Sequence, residues 1–520
     1  MTLVCRRLQS FTEPALFREY TNASRCSRPF LPFLERIILR PDLRSHTRKL
    51  HLRPWTTLGT IRDEDFEPIV KAHRHTRERP EPGSMRATGP NAVEYLMLAQ
   101  SAKAAKLIDE ILPFDRHTFH VKGPDTTRSN TTHYAEYGMT RAFDRMFCEM
   151  LREGIEDPLV VLLIALLPNV TDIVLGGVPS NTLSLCWQPN HGFSALRKMT
   201  ACAIDGEQPW PIEFFRPLLV QSKLESLKVS HATSWSRADG ERDPSGNTIL
   251  SLGLLPKTFA LQHVELESCA LHVLDLRALL DACCRLRSFL YTTADRGVGS
   301  SRLSPGRLAG LLEAHRNTLE YLVFDLDIHP SESTSGNQLD LIQSLSHMTA
   351  LRVLVTPPEM WYGVEAEQDA AIHHDDVSEA QCLSSRMPPN LEMLIFGLSK
   401  GERTTSLRQL SGLLRTRAAI LPRLATLCIG GVEQEYVKQV RQLALDLTPV
   451  SPARSSMLRV EVRPEHVGTV FDSMKHVNSL NDTIWTNGKY ATIPSQHSPF
   501  LRTYERIRNE HNLPAAVQSL

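Results

Sequence analysis

The residues whose types and order could do covalent chemistry are Gly397-Leu398-Ser399-Lys400-Gly401, followed by Asp446 and His466. The pentapeptide fits the G-x-S-x-G turn that lifts a serine nucleophile off the end of a strand, and Ser, Asp, His is the chain order of α/β-hydrolases. A serine hydrolase using Ser399 is therefore one reading. Two features weigh against it. So short a pattern recurs by chance, and Ser399 falls where a structural repeat places an inward polar side chain.

Metal chemistry has thinner grounds. His373-His374-Asp375-Asp376 offers four ligand types in a row, but adjacent side chains seldom converge on one ion, so the run reads as a solvated loop. His73 and His75 have no carboxylate or cysteine partner at ligand spacing. The ten cysteines contain no C-x-x-C pair, and only Cys283 and Cys284 are neighbours. That usage fits reduced thiols in the cytoplasm or nucleus and offers no zinc-site spacing. No phosphate-cradling glycine loop and no H-E-x-x-H helix occurs. The sequence implies no catalytic residue, no cofactor and no metal.

Charge narrows the partners. Lys plus Arg equals Asp plus Glu at 58 each, which leaves no global field for nucleic acid or a membrane surface. The longest apolar run, Leu159 to Leu167, is nine residues, too short to cross a bilayer. A hydrophobic content of 42% suits a folded chain.

The elements that must position any functional group are repeats. Leu261-x-x-Val264-x-Leu266-x-x-Cys269-x-Leu271 matches the leucine-rich-repeat template L-x-x-L-x-L-x-x-N/C-x-L along its length. Alternating apolar residues make a short strand, and the ninth residue turns inward to satisfy backbone groups left without strand partners. Shorter copies recur at Val170-x-x-Ile173-x-Leu175, Leu196-x-x-Met199-x-Ala201, Leu224-x-x-Leu227-x-Val229, Leu286-x-x-Phe289-x-Tyr291 and Leu319-x-x-Leu322-x-Phe324. They continue at Leu351-x-x-Leu354-x-Thr356, Leu391-x-x-Leu394-x-Phe396, Leu424-x-x-Leu427-x-Ile429 and Leu458-x-Val460-x-Val462. A lone strand of this kind cannot bury its apolar face, so stacked neighbours build the core. The fold class expected is α/β: a leucine-rich-repeat solenoid of irregular repeats with a short helical segment at its N-terminal end.

Helices are expected between the strands. Asp157-Pro158 opens one that Pro168 ends, and Ser304-Pro305 opens another with Leu308, Leu311 and Leu312 on one face. Leu276, Leu279, Leu280 and Cys283 share a face, as do Leu407, Leu410 and Leu414. Ala92 to Leu112 also reads as helical. Ser230–Gly246, Ser331–Gly336 and Pro357–Ser385 are polar insertions. The last of these carries Trp361 and Tyr362, expected as aromatic anchors for a partner.

The first fifty residues differ from the rest. They run Leu3-Val4-Cys5-Arg6-Arg7-Leu8, Phe11, Pro14-Ala15-Leu16-Phe17-Arg18, then Ile37-Ile38-Leu39-Arg40-Pro41-Asp42-Leu43 and Arg48-Lys49-Leu50-His51-Leu52. This order resembles the second half of an F-box and the linker that follows it in fungal F-box/leucine-rich-repeat proteins. The resemblance covers residues 3–52 by motif and the remainder by architecture. It implies a non-catalytic, intracellular protein-interaction protein, a substrate receptor that docks a Skp-type adaptor of a cullin–RING ubiquitin ligase. It further implies adaptor contacts from Leu3, Val4, Leu8 and Phe11, and an unknown protein client. The first half of the family's F-box, opening with Leu-Pro and a Glu, should precede Leu3, so adaptor binding is expected to be weak. The alternative is a stand-alone repeat scaffold whose N-terminal apolar residues cap the first repeat near Leu50 and Leu52. Domain organisation is expected as 1–43 partial F-box and linker, 44–480 solenoid with loop insertions, and 481–520 C-terminal cap or tail.

Overall fold

Short strands with an apolar residue at every second position cannot stand alone, and the chain resolves this by pairing each with its neighbour in sequence. A computed structural model describes residues 12–22, 30–52, 55, 90–114, 139–176, 193–203, 209–221, 223–234, 252, 254–293, 303–326, 340–362, 383–397, 403–432 and 458–464. The protein is a mixed α/β structure built on parallel sheet, and it divides into two compact units, Met1–Ile204 with Glu213–Leu224, and Asp205–Ile212 with Glu225–Leu520.

In the first unit, strands β1 (Glu19–Thr21), β2 (Lys49–Leu52), β3 (Asp172–Gly176) and β4 (Lys198–Cys202) pair in that order, all parallel. Tyr20, Leu50, Ile173 and Met199 stand in one register row, and all four are buried. The helix Asp157–Leu166 is apolar almost all round and buried on nearly every side, as its nine-residue apolar run requires. The indole N–H of Trp55 donates to Asp157 Oδ1 at 2.8 Å, which satisfies a carboxylate that is 1% exposed.

Two features of this unit depart from the sequence reading. The helix expected over Ala92–Leu112 stops at Ala104. Asn91 and Glu94 form a reciprocal capping box at its start, and Lys106 with φ 58° ends it, its neighbour Leu107 donating N–H back to Ala102 O at 2.9 Å. The segment assigned to the F-box remnant also enters the sheet as β1. Glu13 accepts from Arg36 at 3.1 Å and Arg40 at 3.3 Å, and the Phe17 and Tyr20 rings stack on Phe33 at 5.5 and 4.1 Å.

In the second unit, strands β5 (Trp210–Pro211) and β7 (Ala232–Thr233) form a small parallel pair. The main sheet runs β6 (Ser226–Ser230), β8 (His263–Cys269), β9 (Ser288–Thr293), β10 (Tyr321–Asp325), β11 (Val353–Thr356), β12 (Met393–Gly397), β13 (Thr426–Val432) and β14 (Arg459–Pro464). Every neighbouring pair is parallel. The second apolar position of each copy falls in one row: Leu227, Val264, Phe289, Leu322, Leu354, Leu394, Leu427 and Val460. The first seven are 0% exposed, so a slip of one residue would turn this whole row into water. Charges at the strand entrances reinforce the register. Arg352 pairs with Glu392 at 2.7 Å, and Arg287 lies 3.9 Å from Glu320.

The connections follow the expected chemistry. Ser304 Oγ accepts from Arg307 N at 3.3 Å with Pro305 in the first turn, and Leu308, Leu311 and Leu312 are buried. In the helix Val273–Ala282, Leu276, Leu279 and Leu280 are buried, but the cap is His272, whose Nδ1 accepts from Leu274 N. His315, 4% exposed, approaches Leu280 O through Nε2 at 3.0 Å and thereby fastens one connection to the last turn of the previous helix.

Burial lowers the His315 pKa below the ordinary 6.5. The unfolded chain then binds the proton more readily than the fold. Stability from this residue is fully present above pH 6.5 and is lost as pH falls towards the lower folded value. Unfolding curves from pH 7.5 to 5 should therefore show a decline that is shallower in His315→Gln. Equal slopes for the two proteins would contradict this assignment.

Candidate interaction surface

Strand β8 places two kinds of site on opposite faces of one sheet. On the inward side lies Cys269, 0% exposed, at the ninth position of the Leu261 repeat. Its Sγ accepts from Ala232 N at 3.3 Å and lies 3.2 Å from Glu267 O, bridging β8 to β7. The turn is made by Ser268 at φ 51°, its N–H donating to Thr292 Oγ1 at 2.8 Å. Tyr291 completes the joint: its hydroxyl accepts from Leu271 N at 3.3 Å and donates to Cys269 O at 3.4 Å. Burial pushes the Cys269 thiol far above its ordinary pKa, so the nucleophilic thiolate is suppressed. Maleimide treatment of the native protein should leave Cys269 unmodified while the exposed Cys284 reacts. Equal labelling of the two in folded protein would break the inward placement.

The other face carries the alternate residues of the same strands. One register row on it reads Lys228, Glu265, Leu290, Val323, Val355, Ile395, Cys428 and Glu461 from β6 to β14. Its first part is ionic. Lys228 Nζ lies 3.2 Å from Glu265 and 2.6 Å from Glu267, and Ser230 Oγ donates to Glu267 Oε2 at 3.1 Å. Glu265 is 2% exposed, and its carboxylate is held out of water only because the ammonium is close. The middle of the row is apolar: Leu290, Val323, Val355, Ile395 and Cys428, with Val353, Met393 and Tyr321 in the adjoining row. The result is an apolar band across five strands with a buried ion cluster at one side.

This band is absent from the repeat template, which constrains only the inward positions. The signal lay in unbroken runs such as Val353-Leu354-Val355 and Met393-Leu394-Ile395-Phe396, which mark parallel strands buried on both faces. A separate groove of about 820 Å³ occurs in the first unit. Ile38, Val93, Leu96, Met97 and Leu166 line it, with Arg44 among them, and Val93 is 78% exposed.

The residues expected to bind partners fare differently. Leu3, Val4, Leu8 and Phe11 lie outside the described residues. Trp361, expected as a partner anchor, is 2% exposed, and its indole N–H donates to Thr356 Oγ1 at 3.1 Å. Pro357-Pro358 turns the chain straight after β11, so the short helix Glu359–Tyr362 brings the ring back over the strand end. Trp361 thus serves the core, not a partner. Tyr362 closes that helix, and its side chain lies outside the described residues. Ser399, Asp446 and His466 lie outside them as well, as do His73, His75, the run His373–Asp376 and the segment 481–520.

Among the described residues no group of three or more His, Cys, Asp or Glu side chains is placed to hold a metal ion, and no helix is long and apolar enough to cross a membrane. No protein-family model, curated protein or solved structure matches the chain.

Proposed function

We propose that this chain is a non-catalytic protein-recruiting module, a leucine-rich-repeat solenoid. In this reading it acts in the cytoplasm or nucleus as the substrate receptor of a Skp–cullin–F-box ubiquitin ligase. The observation that carries the reading is the in-register order of the second unit. Parallel strands succeed one another in sequence, each contributes the same apolar positions to one core, and each presents its alternate residues on a continuous opposite face. Repetition of that kind yields an extended surface whose side chains vary while the scaffold stays constant. The apolar groove of the first unit adds a second surface of the sort proteins use for one another. The ligase role itself rests on the F-box resemblance of residues 3–52.

A specific observation favours a second reading, a stand-alone scaffold. Glu13, Phe17 and Tyr20 spend their contacts on Arg36, Arg40 and Phe33, and β1 adds itself to the sheet. Those contacts serve the first unit's own packing. Affinity capture from cells, with and without a proteasome inhibitor, separates the two. A client that accumulates under the inhibitor together with a Skp-type adaptor supports the receptor. A client retained equally in both conditions without adaptor supports the scaffold. Capture of neither, together with labelling of Ser399 by a fluorophosphonate, would defeat both.

A further inference from the structure

The apolar band on the second unit's sheet is covered, and the sheet's own connections do not cover it. Parallel strands taken in sequence order are joined by right-handed crossovers, which all fall on one face. That face carries Leu322, Leu354 and Leu394, whereas Val323, Val355 and Ile395 point the other way. Yet Leu290 and Val323 are 3% exposed, and Val355, Ile395 and Cys428 are 0% exposed. Branched side chains on a bare sheet face keep part of their surface in water even between neighbouring strands, so some part of the chain lies over this row. The described members of the cluster all come from β9 to β13, with no helix residue among them.

We propose that the occupant is the chain's own segment Ser498-Pro499-Phe500-Leu501-Arg502-Thr503-Tyr504-Glu505-Arg506-Ile507-Arg508, seated on the row as an amphipathic helix. Its sequence has the needed parts. Ser498 is a capping residue, Pro499 suits the first turn, and Phe500, Leu501, Tyr504 and Ile507 share one face. Arg502, Glu505, Arg506 and Arg508 fall elsewhere on the helix, with three positive charges to one negative. The ionic part of the row has the complementary excess, two carboxylates to one ammonium in Glu265, Glu267 and Lys228.

The dimensions agree. Five adjacent strands span about 19 Å at ~4.8 Å per step, and eleven helical residues span about 16 Å. Residues 465–497 separate the segment from β14 and reach far beyond that distance at about 3.3 Å per residue. The segments that join these strands fit less well. Residues 294–302, 327–339 and 363–382 are dominated by Gly, Ser, Asp and Glu and carry no comparable apolar stripe. Residues 433–457 connect β13 to β14 and, as a crossover, belong to the opposite face. The proposal holds independently of any ligase role. Its consequence is that an external partner recognising the apolar band must displace the segment first.

Cys428 is a built-in reporter, because it lies in the row and its thiol is 0% exposed. Full-length protein is treated with maleimide, and each cysteine is followed by mass spectrometry. Cys284 serves as the exposed reference, with Cys269 and Cys283 as buried controls. In wild type, only Cys284 of these four should react rapidly. The double substitution Tyr504→Asp/Ile507→Asp should raise the Cys428 rate at least about tenfold through local opening, with Cys269 still protected. A chain ending at Pro464 should behave the same way. Protection of Cys428 in both variants would overturn the proposal. So would joint labelling of Cys428 and Cys269 at one rate in the double variant, which reports global opening. Wild-type protection lost on dilution would assign the cover to a second copy and overturn it equally.

Discussion

Replacing Phe289 by alanine is expected to cost about 3–5 kcal/mol of unfolding free energy. Phe289 is 0% exposed and stands mid-row between Val264 and Leu322, its ring stacked 6.3 Å from that of Tyr291. Removing the ring deletes contacts to two flanking strands at once, and neighbours locked in a parallel ladder cannot collapse into the space. The lowered urea midpoint should appear in probes of the second unit. Phe289→Leu, which keeps most of the apolar volume, should recover the larger part. A midpoint unchanged by Phe289→Ala would mean that the strand register places this side chain elsewhere.

The next largest effect is expected at Lys228. Lys228→Ala leaves Glu265 and Glu267 facing each other in a site where Glu265 is 2% exposed. Removing one partner of a buried pair typically costs about 3–5 kcal/mol, and the 24% exposure of the Lys228 side chain argues for the lower end. Replacing all three residues by apolar ones of similar volume should be much milder than the single change. A Lys228→Ala protein as stable as wild type would show that the two carboxylates find water or another cation. A triple variant weaker than the single one would show that the cluster stabilises by its charge and not merely by mutual compensation.

These two positions also show what the sequence disclosed. Phe289 was legible because the inward positions obey a template: Leu261, Val264, Leu266, Cys269 and Leu271 are all 0% exposed, as the spacing required. The strands at the copies from Val170 to Leu458 follow from the same pattern. Lys228, Glu265 and the apolar band were not legible as a site, since the template leaves those positions free and their meaning comes from register across strands far apart in sequence. Strand β1 escaped for a related reason. Three residues carry no period, and their partner lies about thirty positions away at Lys49–His51. Trp361 misled because an aromatic beside an acidic insertion looks like an anchor, while the turn at Pro357-Pro358 sends it inward. The early end of the helix Ala92–Ala104 is set by the backbone of Lys106, a left-handed residue that composition does not announce.

The central proposal, a solenoid receptor that joins a client to a ubiquitin ligase, is tested most directly by titrating the purified full-length chain with a Skp-type adaptor. The predicted result is saturable binding, weak but tighter than about 100 µM, abolished by Leu8→Asp with the unfolding midpoint unchanged. No saturation at that concentration, or binding indifferent to Leu8→Asp, would contradict the receptor and leave the scaffold in its place.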